Sequence, residues 1–347
     1  MISTGSAAAP LPPAPSVSAR ERRSRLWQAG RRKGGWARFA LRRLTALVVG
    51  LLILLVGSFL MIHLIPGDPV RESVGISAPP AYVQHVRDQL HLNDPLARQF
   101  LYYVRDAAEL RFGTSITTQQ SVSVIIASRV GNTARLAAVA IVFVMILGVA
   151  AGIVLGALTT DGRRRWLEVV FSTSSGAVVA VPEFLIGTFL VFLFAVTFRL
   201  FPVAGVGGWK SYVLPSLAIS VGPAVAIARI VRLETLKVLS QDYILTARSK
   251  RLPRRLIYAR HALPNLLTGA LTIGGVLFGA LLGGTVIVEN VFAWPGLGTA
   301  AVNAILGKDY PTVQAIVLLL GAFVLIVNMA VDVVIAVVDP RSLILDS

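Results

Sequence analysis

Leu136-Ala-Ala-Val-Ala-Ile-Val-Phe-Val-Met-Ile-Leu-Gly-Val-Ala-Ala-Gly-Ile-Val-Leu-Gly-Ala-Leu-Thr-Thr160 runs for 25 residues without one Asp, Glu, Lys or Arg. A helix rises 1.5 Å per residue, so about 20 apolar residues cross the bilayer hydrocarbon. Working outward, the same test finds Leu44–Gly67, Ser211–Ala228, Ala262–Val288 and Tyr310–Val331. The stretch Glu168–Phe198 is apolar except for Glu183 beside Pro182. It reads as one long kinked span, because Pro removes a backbone donor that neighbouring helices can compensate. The run holding Pro215 and Pro223 is the least regular. The expected fold class is an all-α polytopic membrane protein with six transmembrane helices.

Composition agrees. Of 347 residues, 55% are hydrophobic and 14% charged, and the mean hydropathy is +0.73. Soluble domains carry roughly 25% charged residues, so this chain lacks the polar surface to cover itself in water. With no Cys, disulfides, thiolate nucleophiles and Cys-ligated metals are excluded.

The net charge of +16 is explained by where it sits. With the N-terminus cytoplasmic, 23 of the 33 Lys and Arg fall in segments on the cytoplasmic side. Positive residues accumulate inside, so both termini are expected on the cytoplasmic side. Basic segments there face anionic headgroups of the lipid bilayer, and no nucleic-acid partner is needed.

Residues 1–43 combine a Pro/Ala/Ser-rich start with Arg22-Arg23, Arg31-Arg32-Lys33 and Arg42-Arg43. They read as a disordered basic cytoplasmic tail. The run after it is too long for a signal core and lacks a cleavage site, so 44–66 is a retained first span. Residues 67–132 form an extracytoplasmic segment. Within it, Pro66-Gly-Asp-Pro69 forces a turn, while Pro80–Leu90 and Asp94–Leu110 predict short amphipathic helices. Residues 133–338 hold the other five spans, with a cytoplasmic loop at 232–265, and 339–347 end the chain inside. That loop, Arg232-Leu-Glu-Thr-Leu-Lys-Val-Leu-Ser-Gln-Asp-Tyr-Ile-Leu-Thr-Ala-Arg-Ser-Lys-Arg-Leu-Pro253 onward, predicts a helix–turn–helix with a basic surface, broken at Pro253. It either sets topology or couples the spans to a soluble partner.

Catalytic chemistries fail one by one. Gly205-Val-Gly-Gly-Trp-Lys-Ser211 places Trp209 where a phosphate loop needs Gly, and the segment lies outside. No HExxH occurs, and the four histidines (His63, His85, His91, His261) are read as lying outside the apolar runs, leaving no intramembrane general base. No enzyme, metal or cofactor site is expected in this chain. Ionisable residues within spans are costly and point to function. Two are counted, Glu183 at the kink and Asp332, one turn after Asn328. All three are candidates for a translocation pathway, with inter-helix hydrogen bonding the alternative for Asp332. Gly148, Gly152 and Gly156, and Gly275, Gly279 and Gly283, form flat faces for close helix packing.

Asp242-Tyr-Ile-Leu-Thr-Ala-Arg-Ser-Lys250 and Arg260-His-Ala-Leu-Pro-Asn265 resemble the cytoplasmic EAA loop of permeases in the dipeptide/oligopeptide/nickel group of ABC importers. Gly284-Thr-Val-Ile-Val-Glu-Asn-Val-Phe-Ala-Trp-Pro-Gly-Leu-Gly298 is similar to that group's signature after the fifth span. Phe201-Pro-Val-Ala-Gly205, Lys308-Asp-Tyr-Pro311, Val327-Asn-Met-Ala-Val-Asp332 and Val338-Asp-Pro-Arg341 continue the match, which covers about residues 40 to 343. The resemblance implies a type I ABC importer transmembrane domain. Its partners would be a second homologous permease, two cytoplasmic ATPases that bind ATP and Mg, and an extracytoplasmic substrate-binding protein. It also implies that Asp242, Tyr243, Leu245, Thr246, Ala247, Arg248, Lys250 and Arg251 dock in an ATPase groove. Arg251 stands where the group has Gly, so a differently shaped turn is expected there. The cargo would be di- or oligopeptides, or nickel or another peptide-like solute. A stand-alone secondary transporter would need inverted repeats, and none is seen. A membrane scaffold would leave the long loop unexplained.

Overall fold

The structure is a computed structural model describing residues 19–64, 68–75, 78–89, 91–160, 162, 164–253, 256–257 and 263–338. Its named elements are all helices: α1 (Ala19–His63), α2 (Pro69–Val74), α3 (Pro80–Gln89), α4 (Leu96–Ala108), α5 (Val122–Thr159), α6 (Arg165–Ala180), α7 (Glu183–Leu190), α8 (Lys210–Leu239), α9 (Asp242–Ser249), α10 (Leu263–Val291), α11 (Leu297–Leu306) and α12 (Tyr310–Val338). Wide π-helical turns over Val191–Thr197 extend α7. Trp36–His63, Val122–Thr159, Lys210–Leu239, Gly269–Val291 and Tyr310–Val337 are each long and apolar enough to cross a membrane.

The sixth expected span is broken rather than kinked. α6 and α7 meet at 95°. Val181 precedes a proline and is extended, at φ −77 and ψ 122, as proline sterics demand. Pro182 itself supplies no amide to continue α6. A second difference lies at the N-terminus. α1 begins at Ala19, not near Leu44, so 19–43 is helical instead of disordered. No Pro interrupts the chain between Ala19 and His63, and the span propagates helix backward through Gly34-Gly35 into the Arg-rich stretch. Residues 1–18 and 339–347 lie outside the described residues. α8 runs unbroken through Pro215 and Pro223.

The molecule is built around α5 and α8. Gly148, Gly152 and Gly156 line one face of α5, and α8 lies directly on them. A Cβ at Gly152 would come within 2.6 Å of Val231 Cβ and 2.8 Å of the Ala228 carbonyl oxygen. At Gly156 it would meet Thr235 Cβ at 2.6 Å. Lipid tails are as apolar as Leu, so close van der Waals contact and hydrogen bonds hold such pairs together. Ser220 Oγ supplies one, donating to the Ala140 carbonyl at 2.9 Å. Leu136, Ala140 and Val144 of α5 and Leu214, Ile219 and Ile227 of α8 share a core with Leu281 and Val288 of α10.

Glycines also seat α12. Gly275 and Gly279 of α10 receive Val331 and Asn328, while Gly50 of α1 receives Leu325 and Gly321 of α12 receives Leu54. α1 is peripheral, touching chiefly α12 and α4. Its Arg43 pairs with Asp332 at 2.7 Å. At its other end Phe59 meets Phe100 edge-on at 5.2 Å, and Ser58 bonds the Tyr103 hydroxyl at 2.8 Å. Burial raises the Tyr103 pKa, opposed by that bond. His63 belongs to α1 after all, as its last residue, bonded to Gln99 Oε1 at 3.0 Å.

The two amphipathic helices expected between the first spans are α3 and α4. Val70, Val83 and Val86 seal α2 against α3, and Asp68 caps α2 and pairs with Arg87. This segment is fastened to the α11–α12 turn. Asp309 accepts bonds from the hydroxyls of Ser115, Thr117 and Thr312 and from the Ile116 amide. Glu72 pairs with Lys308, and its carboxylate raises the lysine pKa.

The α5–α8 contact makes a sharp prediction. Gly152→Leu has no room and should lower the melting temperature by several degrees in detergent, an overpacking cost of about 1–3 kcal/mol. Gly176→Leu, with nothing within 4 Å, should leave it unchanged. Equal melting of both variants would refute the close approach.

Candidate functional site

Two structured regions stand at opposite ends of α8. At the end that follows Leu239, Ser240 and Gln241 break the helix, and α9 sets off across it. Ile244 and Ala247, three residues apart on one face, are buried with Leu239 and Ile257. Asp242, Tyr243, Thr246, Ser249 and Lys250 are exposed on the other side. The predicted docking residues therefore divide. Ala247 seats α9 on its own protein, whereas Asp242, Tyr243, Thr246 and Lys250 face outward. Leu245 and Arg248 lie on α9, with side chains outside the described set. Asp242 stands in the first turn of α9, where the helix dipole favours a negative charge.

The turn after α9 keeps the shape that glycine would give it. Arg251 adopts φ 54, and the Leu252 amide reaches back to the Ala247 carbonyl at 3.3 Å. That is a Schellman ending with a left-handed residue in the position usually held by Gly. The expectation of a differently shaped turn is thus corrected: Arg takes the strained conformation, which costs an L-residue about 1–2 kcal/mol.

At the opposite end lies a group absent from the two ionisable residues counted above. Glu289 is fully buried on the last turns of α10. Thr133 of α5 donates to its carboxylate at 2.6 Å, the Gly298 amide at 2.7 Å and the Thr299 amide at 3.2 Å. Those amides belong to the first turn of α11, where N–H groups have no helical partner, so a carboxylate from another helix caps it. Thr133 also accepts from the Leu297 amide at 2.8 Å. The Asn132 side chain donates to the Pro295 carbonyl at 2.9 Å, and the Trp294 indole to the Asn132 carbonyl at 3.3 Å. Trp294 is itself fully buried, edge-on to Tyr212 of α8 at 4.7 Å. Gly296 and Gly298 are required by proximity, since a Cβ on either would collide with the Glu289 carboxylate. The signal was in the quoted signature. Glu289 sat one residue past the apolar run ending at Val288, whereas the helix continues to Val291.

The three pathway candidates are not gathered into one site. Glu183 opens α7, its Oε2 3.1 Å from where a Cβ on Gly284 would stand. Asn328 fits against Gly279. Asp332, one turn further along α12, turns to Arg43 and ties α12 to α1. Among the described residues, no three His, Asp or Glu side chains converge as metal ligands would.

An all-helical chain of spans, with a small seated helix at one end of α8 and a hydrogen-bonded knot at the other, defines the membrane domain of a type I ABC importer. The inward-facing MetNI methionine ABC transporter shares that fold, with a TM-score of 0.52 at 19% identity over 62% of this chain and 96% of that one. The chain belongs to the family described as binding-protein-dependent transport system inner membrane component, whose model matches residues 148–343. The family's N-terminal component matches residues 36–137. It is 36% identical over 302 residues to the glutathione transport system permease protein GsiC of Shigella flexneri serotype 5b and to that of Escherichia coli K12. Each alignment covers 87% of this chain and 97% of the relative. The protein is an ABC importer permease subunit of the inner membrane.

The knot predicts a stability loss. Glu289→Ala strands one hydroxyl and two amides, each at about 1–3 kcal/mol, and should cost about 3 kcal/mol or more. Thr133→Val should cost less, and the double variant less than the two losses combined, because the groups share one network. Thermal unfolding of the three purified variants reads this; additive losses would show that the bonds act separately.

Proposed function

We propose that this permease, with a second homologous permease, forms the translocation pathway of an importer for di- and oligopeptides or close peptide-like solutes. The observation that carries the cargo class is the 36% identity, along nearly the whole length, to a permease named for glutathione, itself a tripeptide. Two ATPases holding ATP and Mg would drive the cycle, and a binding protein outside the membrane would deliver cargo to the α2–α4 side. The distribution of Lys and Arg supports placing α9 and both termini in the cytoplasm.

In this reading α9 is the coupling helix. Its seated face holds it to α8 through Leu239, Ile244 and Ala247. Its outward face offers Tyr243 as bulk and Lys250 and Arg251 as charges for an acidic rim. A short rigid helix fastened to a long span converts closure of an ATPase dimer into a rigid-body movement. Asn328 and Glu183 are assigned to the pathway side of the bundle.

Thr246→Pro should break α9 by removing a backbone donor and clashing with the preceding turn. In the reconstituted complex, transport should stop and ATP hydrolysis stimulated by loaded binding protein should fall to its basal rate. Full stimulation would return α9 to a topology-setting loop.

Orientation has its own test, since the chain has no native Cys. In intact cells a membrane-impermeant maleimide should label Gln84→Cys on α3 and spare Thr246→Cys on α9. The reverse pattern would invert the assignment.

A further inference from the structure

Glu183, Glu289 and Asp332 are carboxylates within the membrane-spanning helices, and the structure treats them differently. Glu289 is bonded to three donors, and Asp332 is paired with Arg43. Glu183 has neither a hydrogen bond nor an ion pair with any described residue. It stands where α6 and α7 part at 95°, partly buried, beside the exposed apolar side chains of Val181, Phe184 and Leu185. Across from it α10 is smooth. Gly284 leaves the carboxylate room, and a Cβ at Gly283 would meet nothing within 4 Å. Of the basic residues on the helices packed around it, Arg232 pairs with Glu168 at 2.9 Å, and Arg129 lies toward the start of α5.

A lone carboxylate among apolar side chains at membrane depth is costly and persists where water and a counter-charge can reach it. The break opens the backbone there, and the glycines of α10 keep the approach clear. We infer that Glu183 is a transient binding station for the cationic group of the passing peptide, its α-ammonium or a basic side chain. The inference rests on the peptide reading given above. Because the unpaired charge is single and partly solvated, it holds cargo weakly enough to release it. A bidentate or fully buried partner would trap the peptide instead.

The test uses the complete importer in liposomes and two peptides of one frame, Ala-Lys-Ala and Ala-Glu-Ala, at saturating concentration. The binding protein is the same throughout, so its own preference cancels when uptake ratios are compared between permease variants. Glu183→Gln should lower the Lys-to-Glu uptake ratio about three- to tenfold, an effect of the size of one weak ion pair. Glu183→Lys should lower it further, and Glu183→Asp should keep it near that of the unmodified protein. An unchanged ratio in Glu183→Gln overturns the station. So does an equal loss of both peptides together with fewer assembled complexes, which would mean that Glu183 pairs with a cation of the second permease. Uptake of neither peptide by the unmodified importer would overturn the peptide reading and this station with it, and that failure appears before any variant is made.

Discussion

A carboxylate cannot be buried without donors, and the protein meets that demand for Glu289 with groups from two other helices. The Thr133 hydroxyl comes from α5, and the amides of Gly298 and Thr299 come from the start of α11. Glu289 itself ends α10. Removing water strengthens each bond, and the negative charge lies at the helix end whose dipole favours it. The consequence is geometric: the ends of α5, α10 and α11 cannot separate without exposing unpaired polar groups to an apolar medium. Trp294 brings α8 to the same point, and the Gly205 amide bonds the Phe292 carbonyl at 2.9 Å, adding the loop before α8.

From this fixed end the α5–α8 pair runs the depth of the bundle as one body. Glycine at every fourth position of α5 lets the α8 backbone come close enough that sliding would drive side chains into carbonyl oxygens. In the proposed coupling role, a push at the Leu239 end would therefore act on the pair as a whole. α9 is joined there by two residues and a small apolar cluster. α1 is different in kind. Its ties are two Leu-into-Gly contacts and one ion pair with α12, and aromatic contacts and two hydrogen bonds with α4, an arrangement that leaves it at the edge of the bundle.

Much of this was readable from the chain. Five spans, the α3 and α4 helices, the glycine faces at Gly148, Gly152 and Gly156 and at Gly275 and Gly279, and the seated helix after Ser240 follow from run length, periodicity and breakers; at Gly283, expected to share the second face, a Cβ would meet nothing within 4 Å. The features that escaped do so for physical reasons. An apolar run stops at its first charge, but a helix does not stop there when tertiary bonds satisfy that charge, so Glu289 fell outside its run. Pro182 announced a bend, but its angle depends on what α8 and α10 offer to each half. The basic residues after Ala19 suggested disorder because charge repels, yet a helix already nucleated by a span extends at little cost. At Arg251, residue type argued against a left-handed turn, and the requirement to end α9 over Ala247 prevailed.

The broken span shows how one helix can serve both stability and passage. Its first half is held by Glu168, which reaches the nearly buried Arg232 of α8 at 2.9 Å. Its second half is held by Gly187, where the Phe292 ring approaches to 3.2 Å of a would-be Cβ and Ala218 of α8 lies next to it. Both fastenings are made to the rigid part of the bundle, one toward each end of α8. The stretch between them carries the break, a carboxylate with no partner among the described residues and a row of exposed apolar side chains. A continuous helix fastened at two such points would transmit movement and nothing else. Breaking it at Pro182 frees backbone polar groups at membrane depth, which is tolerated only where a polar interior replaces lipid. The break and Glu183 thus lie on one surface, the one to which the proposed pathway is assigned, with a fastening to the bundle on either side of it.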